Sequence, residues 1–333
     1  MADSAELLKV VVDNGYAEQK IAYFTKNNGK PEIVLMSLPS RAQIGAVSFS
    51  IEGEVQNSYT VNGTQWTVGE NVPDAESIRG VKYAYSDLNV VLVNNSLIYA
   101  GFGGSRIHLG TSLPFSHYST PTGPNRELIE KVKTSLQQEC IHHGEQTVAK
   151  IEKHFVYQES IAAGIDYMLG DDGKPRNKIR GGIAIVDIGG NTTDISVLES
   201  PQSIDRQRSG SKKIGVIDVR NDLRDLLKEK FKLEKLTDAQ LDYAIRKDRI
   251  VLFGEEENVE QEVSAAKRNT IHKIISRVEE KVGDAADLDK VIFVGGGAAA
   301  LKDVISTYKH GYVPEQPEFA NARGMLKHMS YAI

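Results

Sequence analysis

The chain has 333 residues, 40% of them hydrophobic and 26% charged, with a formal net charge of -5 at pH 7. This is the composition of a soluble globular protein large enough for two ordinary domains, and its acidic balance argues against a generally basic nucleic-acid binder. Cys140 is the one cysteine, which excludes an internal disulfide framework and fits a reducing compartment. No stretch reaches the roughly 20 apolar residues that span a bilayer. Residues Met1 to Glu6 lack the basic and long apolar regions of a signal peptide, so a cytoplasmic location is expected.

Residues 7–24 begin Leu-Leu-Lys-Val-Val-Val, break at Asp13-Asn14-Gly15 and resume at Lys20-Ile21-Ala22. The pattern predicts strand, glycine turn, strand. From Ile33 to Val68 short strands and turns follow; Asn62-Gly63 between Tyr59-Thr60-Val61 and Gln65-Trp66-Thr67-Val68 is a strong hairpin signal, with Trp66 expected in packing. Asp87 to Gly104 reads as an apolar helix. Its closing cluster Gly101-Phe102-Gly103-Gly104 follows a helix rather than a strand and so does not make a dinucleotide fingerprint. Ile107 to Pro114 is a core strand, Asn125 to Glu139 an amphipathic helix, and 148–156 a strand that leads into a helix opening at Glu159. Asp171-Asp172-Gly173-Lys174-Pro175 is a loop separating the two halves.

The second half opens on Ile183 to Leu198, where an apolar run ends in Asp187-Ile188-Gly189-Gly190-Asn191-Thr192-Thr193-Asp194 before apolar alternation resumes. This is again strand, turn, strand, and it repeats the design of the first hairpin. Glycines let backbone N–H groups approach an anion without Cβ interference, and such amides form an anion-binding concavity. A hydrated magnesium ion prefers carboxylates, phosphate oxygens and retained waters, so Asp187 and Asp13 at the strand ends are candidate holders of its water shell. Lys20 adds a point cation for phosphate charge. An ordinary hairpin with a Gly-Gly turn is the plain alternative for either motif alone; the second copy favours phosphate binding.

Farther on, residues 201–213 with Arg206, Arg208, Lys212 and Lys213 read as a solvated loop, and Glu255-Glu256-Glu257 as an acidic turn. Helices are expected over Val219 to Phe231 and Val259 to Val282. The buried strand 290–294 empties into Gly295-Gly296-Gly297, where a flat base or sugar can lie on the backbone, with a helix from about Ala299 presenting its N-terminus to phosphates. Residues 311–317 read as a loop and 319–329 as a final short helix.

These motifs, in this order, resemble the actin and sugar-kinase ATPase superfamily nearly end to end. The first phosphate motif is Asp13-Asn14-Gly15 with Lys20, the second Asp187 to Asp194; the connecting motifs are Gln158 to Gly164 and Asn321 to Met325, and the adenosine motif is Val291 to Ala298. Outside them, Tyr85 to Val91, Leu113-Pro114, Glu159-Ser160-Ile161 and Arg246-Lys247-Asp248 are similar to the plasmid-segregation branch of the bacterial actins. Gln158 stands where that branch would have proline.

The resemblance implies an α/β, two-domain actin-like (ribonuclease H-like) ATPase fold with a nucleotide cleft between domains. Domain I would be 1–163 plus 315–333, with a smaller subdomain at 33–100, and domain II 164–314, with one at 200–265. It further implies ATP (or GTP) with Mg2+, homopolymeric filaments, and a DNA-binding adaptor protein bound to a plasmid centromere site, with no direct DNA binding and no membrane. Phosphates would lie on Gly15, Gly189, Gly190, Asn191 and Thr192, with Asn14 beside them and the nucleoside on Gly295, Gly296 and Gly297. Glu159 would position or deprotonate the attacking water, with Asp187 as its catalytic partner through the metal. A small-molecule kinase on the same fold is the main alternative. A heat-shock chaperone is disfavoured by the lack of room for a peptide-binding domain, and a membrane-attached divisome actin by a short, mixed 325–333 segment. The dispersed histidines, His142-His143 included, lack the ligand spacing of a metalloenzyme.

Overall fold

A computed structural model describes residues 7–27, 29–45, 57–69, 72, 75–76, 80–200, 203–305 and 311–331. They divide into two units, Met1–Asn177 with Asn321–Ile333, and Lys178–Ala320.

The first unit opens with an antiparallel meander of β1 (Leu8–Asn14), β2 (Glu18–Asn27) and β3 (Lys30–Pro39). Then come β4 (Ala42–Ile44), β5 (Asn57–Val61), β6 (Thr64–Val68), α1 (Asp87–Tyr99) and β7 (Arg106–Leu113). A short excursion through α2 (Phe115–Tyr118), β8 (Ser119–Thr120) and β9 (Gly123–Pro124) precedes α3 (Arg126–Ser135), β10 (Cys140–His142), β11 (Lys150–Gln158) and α4 (Glu159–Met168). The main sheet runs β11-β7-β1-β2-β3, with β11, β7 and β1 mutually parallel; a smaller sheet runs β10-β5-β6-β4.

The unbroken apolar run of β1 follows from its central place. Val10 and Val12 share a core with Val90, Val91 and Val93 of α1, while Val11 on the opposite face joins Ala162 of α4 and Met325 of the last helix. A strand covered on both faces needs no polar alternation. Helix α1 is likewise buried all round from Leu88 to Ile98, and its polar residues are satisfied internally: Asn94 Nδ2 donates to the Val90 carbonyl at 2.9 Å, and Tyr59 Oη donates to Asn95 Oδ1 at 3.0 Å. The β5–β6 turn forms as expected, with φ of 49° at Asn62 and 75° at Gly63, and Trp66 is buried.

The second unit begins with β12 (Ile183–Ile188), β13 (Thr193–Ser200), β14 (Ser203–Lys212) and α5 (Val216–Phe231). It continues through α6 (Asp238–Lys247), β15 (Arg249–Leu252), β16 (Glu255–Asn258) and α7 (Glu260–Val282), and then β17 (Lys290–Val294), α8 (Gly296–Ala300), α9 (Lys302–Ile305) and β18 (Gly311–Tyr312). Its sheet runs β14-β13-β12-β17-β18, with β12 parallel to β17. Ala184, Val186 and Ile188 of β12 share a core with Leu223 and Leu227 of α5 and Ile274 and Val278 of α7. Full burial of each such side chain contributes about 1.5–3 kcal/mol.

Two expectations are corrected here. Residues 203–212 are not a solvated loop but the edge strand β14, paired with β13. An edge strand carries charge on its open side and so lacks an apolar alternation to read; Ser209 stitches it down, its Oγ accepting from the Val197 N–H at 3.0 Å, and Arg208 forks onto Asp287 at 2.6 and 3.0 Å. Glu255 to Glu257 are not a turn but part of β16, and the turn lies one step earlier at Phe253-Gly254.

The last helix, α10 (Ala320–Tyr331), packs its residues from 321 onward in the first unit. Gly324 lies against the Ala162 carbonyl of α4, where a Cβ has no room. Beside it Asp166 accepts from Arg323 Nε at 2.9 Å and Nη2 at 2.7 Å, and from Lys327 Nζ at 2.8 Å, with Lys327 only 1% exposed. Charges this deep are tolerated because they are paired.

Candidate functional site

In the first unit the candidate residues gather where β1, β7 and β11 end. Parallel strands deliver their carboxyl ends to one edge of the sheet, the common place for ligands in α/β folds. Gln158 pairs with Leu113, and Thr111 with Val12, so the register brings the Asp13-Asn14-Gly15 turn, the end of β7 and Glu159 to the same edge. Asp13 is buried and its Oδ1 accepts from Ser112 Oγ at 2.7 Å; the same hydroxyl lies 3.5 Å from Glu159 Oε1. Lys20 is half-buried and lies opposite Asp13 in the β1–β2 ladder. A Cβ at Gly15 would approach the Glu18 carbonyl to 2.9 Å, so only glycine closes this turn.

Side chains hold the turn from behind. Asn14 Oδ1 accepts from the Ser112 N–H at 3.1 Å, while its Nδ2 donates to Asn89 Oδ1 at 3.0 Å. Asn89, fully buried in α1, passes its own Nδ2 to the Ala84 carbonyl at 2.9 Å. The Gly15 carbonyl accepts from Ser40 Oγ at 2.7 Å and Gln19 Nε2 at 3.2 Å, with Tyr83 Oη at 3.3 Å. Burial raises the Tyr83 phenol well above its ordinary range, so it stays a neutral donor. Glu159 opens α4, where a carboxylate is favoured by the helix dipole. Gln158 before it is extended, with φ of -86° and ψ of 126°, close to the conformation a proline would impose, so the backbone enters α4 much as the proline sequence would.

In the second unit the work is done by backbone. The Gly189 N–H donates to the Thr192 carbonyl at 2.8 Å, closing the β12–β13 turn. Helix α5 then docks its first amides on that turn: Val216 N–H to the Gly189 carbonyl at 3.2 Å and Ile217 N–H to the Gly190 carbonyl at 2.9 Å. Gly215 makes this approach possible, since a Cβ there would come within 2.6 Å of both carbonyl oxygens. Among the described residues, the N–H groups of Gly190, Asn191 and Thr192 have no backbone partner.

Asp187 is buried and paired with Asp194 across the ladder. Burial pushes the Asp194 carboxyl up to about 7, against the opposing hydrogen bond from Ser211 and with a contribution from the charge of Asp187. The glycine triplet divides by role. Gly295, at φ 86°, would put a Cβ 2.5 Å from the Ile188 carbonyl, and Gly297 packs equally close on the Ile188 side chain, so both are demanded by the fold. At Gly296, as at Gly190, φ is ordinary and a Cβ would meet nothing within 4 Å, so no contact within the chain requires glycine there. The helix after the triplet starts at Gly296 rather than Ala299 and is only five residues long. Among the described residues no group of three or more His, Cys, Asp or Glu forms a metal cage, and no helix is long and apolar enough to cross a membrane.

Two aspartate–glycine hairpins on strand ends and a glycine turn after β17 are thus built into one chain. Residues 8–169 match the family model for plasmid segregation protein ParM, N-terminal, and residues 185–307 that for the archaeal actin homologue MreB-like, C-terminal. The chain is thus similar to ParM over its first half and to an archaeal actin homologue over its second. No curated protein sequence matches it. Solved structures share the ParM-type actin fold at low identity. Ta0583, an archaeal actin homologue, superposes with a TM-score of 0.78 at 18% identity, covering 97% of this chain and 99% of its own. A subunit of a 15-stranded ParM filament from Clostridium botulinum gives 0.75 at 19%, with 97% and 99% covered. Bacillus thuringiensis ParM with ATP gives 0.66 at 17%, with 96% and 97% covered. Sequence reasoning missed three parts of this candidate site: Ser112, Asn89 and Gly215. Ser112 was signalled by its place at the end of a core strand and Asn89 by a polar residue in an apolar helix, whereas nothing local to Gly215 distinguishes it from a loop glycine.

Proposed function

We propose that this protein binds ATP with magnesium and hydrolyses it to time its own assembly into filaments that segregate plasmid DNA. What carries the reading is the pair of buried strand-end aspartates, Asp13 and Asp187, each followed by a glycine turn. The spare room at Gly190 and Gly296 adds to it, because glycine there is explained by a ligand approaching the backbone rather than by packing.

Asp13 in the first unit and Asp187 in the second are each candidate holders of waters on a hydrated ion, which neutralises phosphate charge when bound. The N–H groups of Gly190, Asn191 and Thr192, with Gly15, Gly189 and Asn14 nearby in their turns, would cradle phosphates, and Lys20 would offset their charge. Gly295, Gly296 and Gly297 would support the nucleoside. Glu159 acts as general base, taking a proton from the attacking water. Removal of such a base costs about 10²–10⁴-fold. Glu159→Ala is therefore expected to bind ATP and polymerise while releasing phosphate at least a hundredfold more slowly, and wild-type turnover in that variant would remove Glu159 from this role.

Polymerisation follows if subunits hold their neighbours better with ATP than with ADP, since about 1.4 kcal/mol per contact is tenfold in affinity. The partners are then further copies of this chain and a DNA-binding adaptor in the cytoplasm, with GTP as a second possible fuel. Right-angle light scattering with magnesium and ATP, ADP or a slowly hydrolysed ATP analogue tests this, with phosphate release followed in parallel. A concentration-dependent rise that decays with ATP and persists with the analogue supports a nucleotide-timed filament. A flat trace with phosphate release only after metabolites are added would favour the small-molecule kinase.

A further inference from the structure

Ser112 stands at the junction of three elements and belongs to none of the motifs by which the site is recognised. It is the penultimate residue of β7, between β1 and β11, only 2% exposed, and it grips the first hairpin at two points. Its N–H donates to Asn14 Oδ1 at 3.1 Å and its hydroxyl to Asp13 Oδ1 at 2.7 Å. The third contact is the longer one, 3.5 Å from Oγ to Glu159 Oε1 on α4.

A serine hydroxyl has one proton and two acceptor lone pairs. The distances decide where the proton lies: 2.7 Å is an ordinary O–H···O⁻ bond, whereas 3.5 Å is at the edge of hydrogen bonding. Ser112 therefore spends its donor on Asp13, which holds that carboxylate in one orientation. The waters of a hydrated cation are donors that a carboxylate so oriented can meet.

We propose that Ser112 is a positioning residue of the nucleotide site, orienting the Asp13 carboxylate toward the hydrated cation. The inference rests on the reading of Asp13 as a holder of the ion's water shell. It adds a residue to that reading and assigns its hydroxyl, not its packing, as the active part. Because the bond engages Asp13, loss of the hydroxyl weakens what magnesium contributes to nucleotide retention more than it weakens the nucleotide's own contacts.

The test is dissociation of a fluorescent ATP analogue from the full-length protein, with magnesium and with EDTA, in the wild type, Ser112→Ala and Ser112→Thr. Unfolding midpoints are measured alongside. Ser112→Ala is expected to release the nucleotide about tenfold faster in magnesium and less than twofold faster in EDTA, the scale of losing one hydrogen bond to a charged group. Ser112→Thr, which keeps the hydroxyl, is expected to restore most of the magnesium effect. Equal acceleration in both media, or none in either, would overturn the assignment, as would failure of Ser112→Thr to recover at an unchanged unfolding midpoint. Should Ser112→Ala not fold, Ser112→Thr and Ser112→Cys are compared instead. Wild-type retention in the folded Cys variant, or equal loss in both folded variants, would overturn the proposal; a selective magnesium defect in Cys that Thr lacks would support it. A wild type that holds the analogue equally with and without magnesium would instead remove the reading on which the inference stands.

Discussion

The two aspartate–glycine hairpins look alike in sequence and are supported in opposite ways. The first, in the N-terminal unit, is held by side chains: Asn14 on Asn89, Ser112 on Asp13, Ser40 and Gln19 on the Gly15 carbonyl. The second is held by backbone, with the first amides of α5 seated on the carbonyls of Gly189 and Gly190 and with Gly215 and Gly295 packed too closely to carry a side chain. A turn built from side-chain hydrogen bonds can be adjusted one group at a time. A turn built on backbone apposition is all or nothing, because packed peptide groups do not yield by rotamer change.

The largest expected effect falls on the backbone-held turn. Gly215→Ala should destabilise the protein by on the order of 3 kcal/mol, read as a lower urea midpoint, because the new methyl meets two peptide oxygens. Gly190→Ala, one contact away, should leave the midpoint unchanged or slightly raised, since the methyl has open space and the unfolded chain loses freedom. It should still weaken ATP binding. Equal destabilisation by both would break the distinction between packing glycines and ligand glycines. On the side-chain-held turn, Asn89→Ala should cost about 2 kcal/mol by leaving Asn14 Nδ2 and the Ala84 carbonyl without partners. A double change with Asn14→Ala should cost clearly less than the sum of the two single changes, because the two share one bond.

Smaller for each pH unit are the effects of titration, which carry opposite signs in the two units. In the first unit His154, buried and bound through Nε2 to Thr111, is pushed down to about 3 by burial, with Lys133 adding to it. The unfolded chain takes a proton on this ring below about pH 6.5 and the folded chain does not, so stability falls as pH drops from 6.5 toward 3, by about 1.4 kcal/mol per unit. In the second unit Asp194 is raised to about 7. Here the folded state keeps a proton the unfolded state has released, so stability falls as pH rises from about 4 to 7 and is level above that. In nucleotide-free, metal-free protein the two slopes oppose each other between about pH 4 and 6.5, so in the urea-midpoint profile His154→Gln should leave stability falling as pH rises there and Asp194→Asn should leave it rising. Unchanged slopes in either variant would count against that group's burial.

The same contrast explains what could be read from the sequence. Both hairpins, the Asn62-Gly63 turn and the unbroken apolar runs of β1 and β12 are local patterns, set by glycine placement and by coverage of both sheet faces. Asp13 could be chosen because it lies at the end of a strand before a glycine turn, Lys20 because it follows that turn, and Glu159 because it opens a helix in a stretch that resembles a connecting motif of the superfamily. What escaped was set by partners distant in sequence. Ser112 acquires its place only when β7 lies between β1 and β11, and Gly215 only when α5 folds back on the β12–β13 turn. The edge strand β14 escaped for another reason: its open side is polar, so its sequence is that of a loop until β13 pairs with it.

The salt-bridged contact between α4 and α10 has a consequence for how the molecule is made. Asp166 is synthesised long before Arg323 and Lys327, the cations that neutralise it in the finished first unit. Until residues past 320 have left the ribosome, α4 has neither its partner helix nor countercharges for a carboxylate destined for burial, and leaving such a charge buried alone costs about 3–5 kcal/mol. The segment that opens with Glu159 thus settles only once residues past 320 have emerged, after the second unit has had its chance to fold. A nascent chain shorter than that therefore holds Glu159 at the start of a helix that has not yet found its partner.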